Sequence, residues 1–379
     1  MSGFEGFISI FEDDLYDGST FTSPQALHVD QENLSLGKYI EYRNESVGSG
    51  RVGLATHLVY KEKKPKGGFT YQFRSGDINK VLLCHFQNGT YDGTSRYSFY
   101  PRTNPLDFNN QGSLPNQAYG RVIAKPYTVS ILKKLFDTTS NGGTNSFFFK
   151  HGICDKLGFR LNSGDDAKAE ANFVFRDLDY GTAVSAVPGS DGTVGSYATT
   201  PSFQYWSATV TMDGAAFEIS AFDIASDQSI QEYSKVGRQD PEAYQFSGYS
   251  LRGNFAFDLP YDSLKQVGSM FGGLPFAFVA TLYNGTTDRV MIEMPYCKRL
   301  PFDFNTGGGD KPLTGRVPFQ AFENAGTYPI KITVDTEYTF PGLLILDGVL
   351  GARTLASMDE YDASLGARTL SSYTEVNRV

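Results

Sequence analysis

In a chain of 379 residues the groups able to do chemistry are few: four histidines, three cysteines, one lysine run and some turns rich in glycine or aspartate. His28, His57, His85 and His151 show neither His-x-His nor His-Glu-x-x-His spacing, so each reads as a strand or loop residue and not as a metal ligand. Gly48-Ser-Gly50-Arg-Val-Gly53 has the letters of a dinucleotide fingerprint. That fingerprint works only where a strand turns into a helix whose N-terminus faces pyrophosphate. Here polar residues precede it and the alternating residues 54–60 follow, which predicts a loop entering a strand. Gly248-Tyr-Ser250-Leu-Arg-Gly253 is one residue too long for a nucleophile elbow. Asp165 and Asp166 lack the spacing of an EF-hand and read as a solvated turn. No acid and base are paired, so the sequence offers no catalytic, cofactor-binding or metal-binding residue.

Cys84, Cys154 and Cys297 are odd in number and widely spaced, which is neither a disulfide framework nor a zinc pattern. All three are expected as free thiols, made in a reducing cytoplasm. The run Lys61-Glu-Lys63-Lys64-Pro-Lys66 joins two strand candidates, residues 54–60 and 69–73, and contains no aromatic residue on which a base could stack. It reads first as a solvated loop.

The elements that carry these residues are mostly strands. Thirty Phe and 23 Tyr stand beside 40 Gly, and long helical periods are nearly absent. A formal charge of −9 argues against a protein that grips nucleic acid, since phosphate binding needs concentrated Lys and Arg. Neither a secretory signal nor a stretch long enough for a transmembrane helix is visible, so no membrane insertion is expected.

One pattern occurs twice. Cys154-Asp-Lys156-Leu157-Gly-Phe159-Arg-Leu161-Asn162-Ser-Gly matches Cys297-Lys-Arg299-Leu300-Pro-Phe302-Asp-Phe304-Asn305-Thr-Gly, an alternating strand ended by a turn. Upstream, Phe69-Thr-Tyr71-Gln-Phe73 followed by Ile78 and Val81 parallels Phe255-Ala-Phe257-Asp-Leu259 followed by Leu264 and Val267: a strand running into a short amphipathic helix. Phe69 and Phe255, Cys154 and Cys297, and Phe159 and Phe302 are thus expected at equivalent places. The expected fold is mainly β, with two tandem related sandwich or barrel domains, each with a short flanking helix. Residues 1–29 read as an N-terminal arm, 30–181 as the first domain with a surface insertion at about 87–125, and 182–202 as a linker. Residues 203–326 form the second domain. Residues 327–379 supply a further strand and an extended arm, in which Leu350-Gly-Ala-Arg-Thr-Leu355 recurs at 365–370.

These doubled elements resemble the two-domain tail tube proteins of long-tailed bacteriophages, over roughly residues 30–326. The resemblance implies a virion structural protein whose domains close six to a ring, so that three copies suffice. Stacked rings then surround a continuous β-barrel through which double-stranded DNA passes without specific binding. It also implies tape measure, tail terminator and distal tail proteins as partners, and an acidic wall that repels phosphate. Within such a tube Lys61, Lys63, Lys64 and Lys66 become an inter-ring finger. The competing reading is a two-domain carbohydrate- or cell-surface-binding module, with Trp206 and the tyrosines as a sugar platform. A porin-like barrel fits less well.

Overall fold

The computed structural model describes residues 6–13, 21–35, 40–43, 57–60, 65–75, 78–91, 95–101, 127–135, 145–180, 196–197, 200–205, 208–233, 243–259, 274–284, 288–302, 304–305, 313–324, 327–335, 346–347 and 350–351. The fold is mainly β. In the first half lie β1 (Gly6–Asp13), β2 (Phe21–Leu27), β3 (Val29–Glu32), β4 (Ile40–Arg43), β5 (His57–Tyr60), β6 (Lys66–Gln72), helix α1 (Asn79–Phe86), β7 (Gly89–Tyr91), β8 (Arg96–Phe99), β9 (Val129–Leu135), β10 (Asn145–Asn162), β11 (Lys168–Val174) and β12 (Asp177–Tyr180). After them come β13 (Ser196–Tyr197), β14 (Ala208–Met212), β15 (Ala215–Ala216), β16 (Ala221–Tyr233), β17 (Ala243–Leu259), β18 (Phe276–Asn284) and β19 (Asp288–Arg299). The chain continues with β20 (Phe304–Asn305), β21 (Leu313–Ala321), β22 (Lys331–Asp335), β23 (Leu346–Asp347) and β24 (Leu350–Gly351).

Antiparallel ladders link β3 to β6, β6 to β11, β11 to β10, β10 to β16, β16 to β17 and β17 to β21. The series ends where β21 pairs with Cys297–Arg299 of β19 and then with β20. A second series joins β2, β1, β9, the first part of β10 and β12. A third joins β14, β18, the first part of β19, β22 and β8. β10 therefore belongs to two sheets and β19 links the third series to the first, and each passes from one series to the other at a cysteine. At Cys154 the change is made by a bulge, with His151 nearby at φ +54° and Lys156 resuming the ladder.

Strict alternation drives this arrangement. Along β10, Leu157, Phe159 and Leu161 turn inward while Lys156, Arg160 and Asn162 turn out. β16 does the same with Phe222, Ile224 and Ser226 against Asp223, Ala225 and Asp227. The inward rings form one contiguous core that draws on both halves of the chain. Phe73 lies 5.4 Å from Phe159, Phe69 lies 5.5 Å from Phe173, and Phe278 lies 5.4 Å from Phe319 (centroid to centroid). Such pairs contribute about 0.5–1.5 kcal/mol each beyond the area they bury.

Several expectations need correction. Residues 6–13 and 21–27 are not a free arm: β1 pairs with both β2 and β9, and Ile8, Ile10 and Phe11 are buried. The start of the expected insertion is a working part of the sheet, because Tyr97 and Phe99 alternate inward and β8 pairs with β22 from the other end of the chain. Arg96 and Arg289 both bond Asp335 across that junction. Helix α1 is not amphipathic, since all eight of its residues are buried, Asn79, Lys80 and His85 included. Lys66 belongs to strand β6 and not to a loop, with its backbone bonded to Ser35. Residues 48–53, 61–64, 206, 264–267 and 365–370 lie outside the described residues.

Candidate functional site

The first series of strands has two faces of opposite character. One packs on the core, while the other carries only polar or small side chains along the rows that cross β10 and β16. Where those two strands meet, Lys156 stands opposite Asp227, Gly158 opposite Ala225, and Arg160 opposite Asp223. The bases are on β10 and the acids on β16, so each charged pair supports this register at about 0.2–1 kcal/mol. A slip of one residue would turn Leu157, Phe159 and Leu161 to water.

A series of charged contacts can be followed across the sheet. Arg160 faces Lys168 on β11, and Lys168 Nζ reaches Asp30 Oδ2 at 2.8 Å. That bond to Asp30 is the largest influence raising the Lys168 pKa. On the other side Arg160 lies 3.6 Å from Asp223, and Asp223 lies 3.9 Å from Arg316 on β21. Arg316 Nε donates to Asn254 Oδ1 at 2.5 Å. Arg252 and Lys298 also belong to this face, as does Glu170, while Asp155 sits in the bulge with its pKa raised by burial. The face is a mixture of charges.

The two ends of the series are free edges. Among the described residues β3 has no ladder on the side away from β6, and Arg299 and β20 have none on the side away from β21. At the second edge the exposed apolar groups gather: Leu274 is 71% exposed, Leu300 38% and Phe322 36%. Arg299 lies over the Phe276 ring at 4.3 Å and donates to Leu274 O, while Lys298 lies over Phe322 at 5.7 Å. An unpaired edge beside exposed apolar surface is a template for association.

Behind the join of β10 and β16 is a buried clasp. His85 of α1 bonds the Cys154 carbonyl through Nδ1 at 2.9 Å and Ser226 Oγ through Nε2 at 2.7 Å. A carbonyl only accepts, so Nδ1 carries the hydrogen and Nε2 accepts from the serine hydroxyl. Burial is the main cause that lowers the His85 pKa to about 4, which keeps the ring neutral. A Ser–His pair invites comparison with a nucleophile and its base, but both residues are closed to solvent and the clasp is structural. Tyr249 Oη adds bonds to the carbonyls of His85 and Phe86, each at 3.2 Å. At the C-terminus of α1, Gln87 adopts the left-handed conformation usual for glycine; its amide donates to the Cys84 and Tyr127 carbonyls and accepts from Tyr127 N–H.

Cys84, Cys154 and Cys297 are buried free thiols. Cys84 and Cys154 come together, the Cys154 N–H donating to Cys84 Sγ at 3.3 Å. Burial pushes the Cys154 thiol well up and Cys297 up to about 12. Phe69, Phe159 and Phe255 are buried, and Phe302 packs half-buried on the same core. Lys66 is exposed at the start of β6, whereas Lys61, Lys63, Lys64 and Trp206 lie outside the described residues. Among the described residues no group of three or more His, Cys, Asp or Glu side chains is placed to hold a metal, and no helix is long and apolar enough to cross a membrane. Lys156 and Arg160 stand in the repeated motif without marking a charged face there, although alternation with aromatics (Arg160 between Phe159 and Leu161, Asp223 between Phe222 and Ile224) is the signal that finds it. No protein-family model matches the chain, and no curated protein matches it significantly.

Proposed function

We propose that the chain is a self-assembling structural protein of the bacteriophage tail tube class, built from two copies of one β domain and closing three to a ring. The carrying observation is the order of strands in the first series. β3, β6, β11 and β10 form one set of four, and β16, β17, β21 and β19–β20 form another with the same sequence of pairings. In both sets the last strand bends through a cysteine into an outer sheet, pairing with β9 and β12 or with β18 and β22. The copies extend beyond the matched motifs, because β1 pairs with β9 as β14 pairs with β18.

Inside the chain the two sets are joined at β10 and β16. The same kind of joint is available between chains, where β3 of one copy meets β19–β20 of the next. All neighbours in the series are antiparallel, so an even number of strands lets β3 close antiparallel on that edge. Three copies would then make a barrel of about twenty-four strands, wide enough to leave a channel, with the uncovered polar face turned inward. Closure pairs both free edges and covers Leu300, which supplies the driving force.

Electron microscopy of the purified protein tests this. Rings or tubes with three-fold symmetry are expected, and a chain that stays monomeric at high concentration overturns the reading. Leu300→Asp should abolish the rings while the melting temperature of the isolated chain stays within a few degrees, because the side chain is exposed before assembly.

A further inference from the structure

The uncovered face bears on what passes over it. The whole chain carries a formal charge of −9. Yet the described part of this face holds Lys156, Arg160, Lys168, Arg252, Lys298 and Arg316 against Asp30, Glu170, Asp223 and Asp227, with Asp155 in the bulge. Cations and carboxylates are thus nearly balanced on this face, in contrast to the acidic chain as a whole. Arg160 and Lys168 stand directly opposite one another, an arrangement that costs stability when nothing offsets it. Asp30 and Asp223 flank the pair and offset the repulsion without consuming the charges. Arg160, Arg316 and Lys168 keep 62%, 66% and 44% of their side chains exposed. The contacts of Asp223 with the two arginines, 3.6 and 3.9 Å, are too long for bidentate pairing and leave guanidinium N–H groups directed at solvent. A groove of about 420 Å³ lies here, lined by Arg160 and Lys168 together with the carboxylates of Asp30, Glu32, Glu170 and Asp223.

We propose that Lys168, Arg160 and, one row further along the strands, Arg316 form a phosphate-contacting belt that meets duplex DNA. The identification of the polyanion as DNA rests on the tube reading above; the chemistry of the belt does not. Exposed cations spaced across one face of a sheet meet a polyanion backbone through charge and N–H donation. No aromatic side chain lies in the belt, so contact falls on phosphates and not on stacked bases, and it is independent of sequence. The interspersed carboxylates keep the contact weak, as a surface along which DNA moves requires.

The test is fluorescence anisotropy of a labelled duplex of about 20 base pairs with the full-length, unassembled protein, titrated over a range of salt. Wild type should bind at low salt, with log K falling linearly against log salt. Replacing Lys168, Arg160 and Arg316 by Gln together should reduce the magnitude of that slope by about three, and Arg316→Gln alone by about one. Lys331→Gln, on the outer sheet beside Glu293, should leave the slope unchanged. The single variant decides the matter if the triple variant does not fold. Absence of binding at low salt, or a slope unchanged by Arg316→Gln, overturns the belt. Rings that form without DNA binding would sink the belt and spare the tube reading, whereas a monomer whose DNA binding depends on Arg316 would do the reverse.

Discussion

Strands β10 and β19 share a sequence pattern and a bend at cysteine, yet the residues after the bend meet different fates. Leu157 is 1% exposed and Leu300 is 38% exposed, although each lies three residues past its cysteine. Phe159 is buried, whereas Phe302 is half-buried. The difference lies first in register. A bulge between Cys154 and Lys156 turns Leu157 to the core. Cys297, Lys298 and Arg299 instead pair without a shift with Ala321, Gln320 and Phe319, so Arg299 takes the core side and Leu300 the opposite face. After Cys154, β10 has β11 on one side and β16 on the other, so its inward residues are roofed by two strands and by α1. After Cys297, β19 has β21 alone and gives way to the short β20. Burial here is set by register and by the pairing partners more than by residue type alone.

Substitution at the two leucines puts the largest strain on this comparison. Leu157→Ala should cost about 2–5 kcal/mol in urea unfolding, because it leaves a cavity in a closed core. Leu300→Ala should cost well under about 1 kcal/mol in the unassembled chain. Equal losses at both positions would remove the distinction. Next comes acidification, which acts on the β10 side through His85. Its folded pKa of about 4 lies below the unfolded value of 6.5, so the unfolded chain binds the extra proton first. The neutral clasp contributes its full stability above pH 6.5, and roughly 3 kcal/mol is lost as pH falls towards 4. Unfolding free energies measured at pH 7, 5.5 and 4.5 should fall in that order, and His85→Gln should flatten the trend.

The cysteines sharpen the comparison on a smaller scale. Both corner thiols are buried with raised pKa values, so neither should react with an alkylating agent faster than the chain unfolds. Three equivalents should react in denaturant. Rapid native labelling of Cys297 with Cys154 protected would show that the second corner opens alone. The smallest effect belongs to Lys66, exposed at the edge of β6, where Lys66→Glu should shift stability by less than about 0.5 kcal/mol. A larger loss would mean that the lysine has a partner in the folded chain.

Much of this was legible because β-alternation is a local signal. Phe69-x-Tyr71-x-Phe73 and Leu157-x-Phe159-x-Leu161 announce strands with one buried face whatever lies beside them, and so the mainly β fold followed from the residues themselves. Residues 6–13 were misjudged as an arm and the β8 region as an insertion because their partners, β9 and β22, are distant in the chain. Ile78 and Val81 suggest an amphipathic helix, but Lys80 and His85 are buried with them. Glu12, 3.8 Å from Lys80, and Ser226 make their burial possible, and neither lies close in sequence. Alternation thus fixes what each strand turns inward, since it depends on the geometry of successive residues alone. Only the tertiary structure decides which strands are neighbours, which edges stay free and which cations share a row, because those depend on long-range pairings that no local pattern encodes.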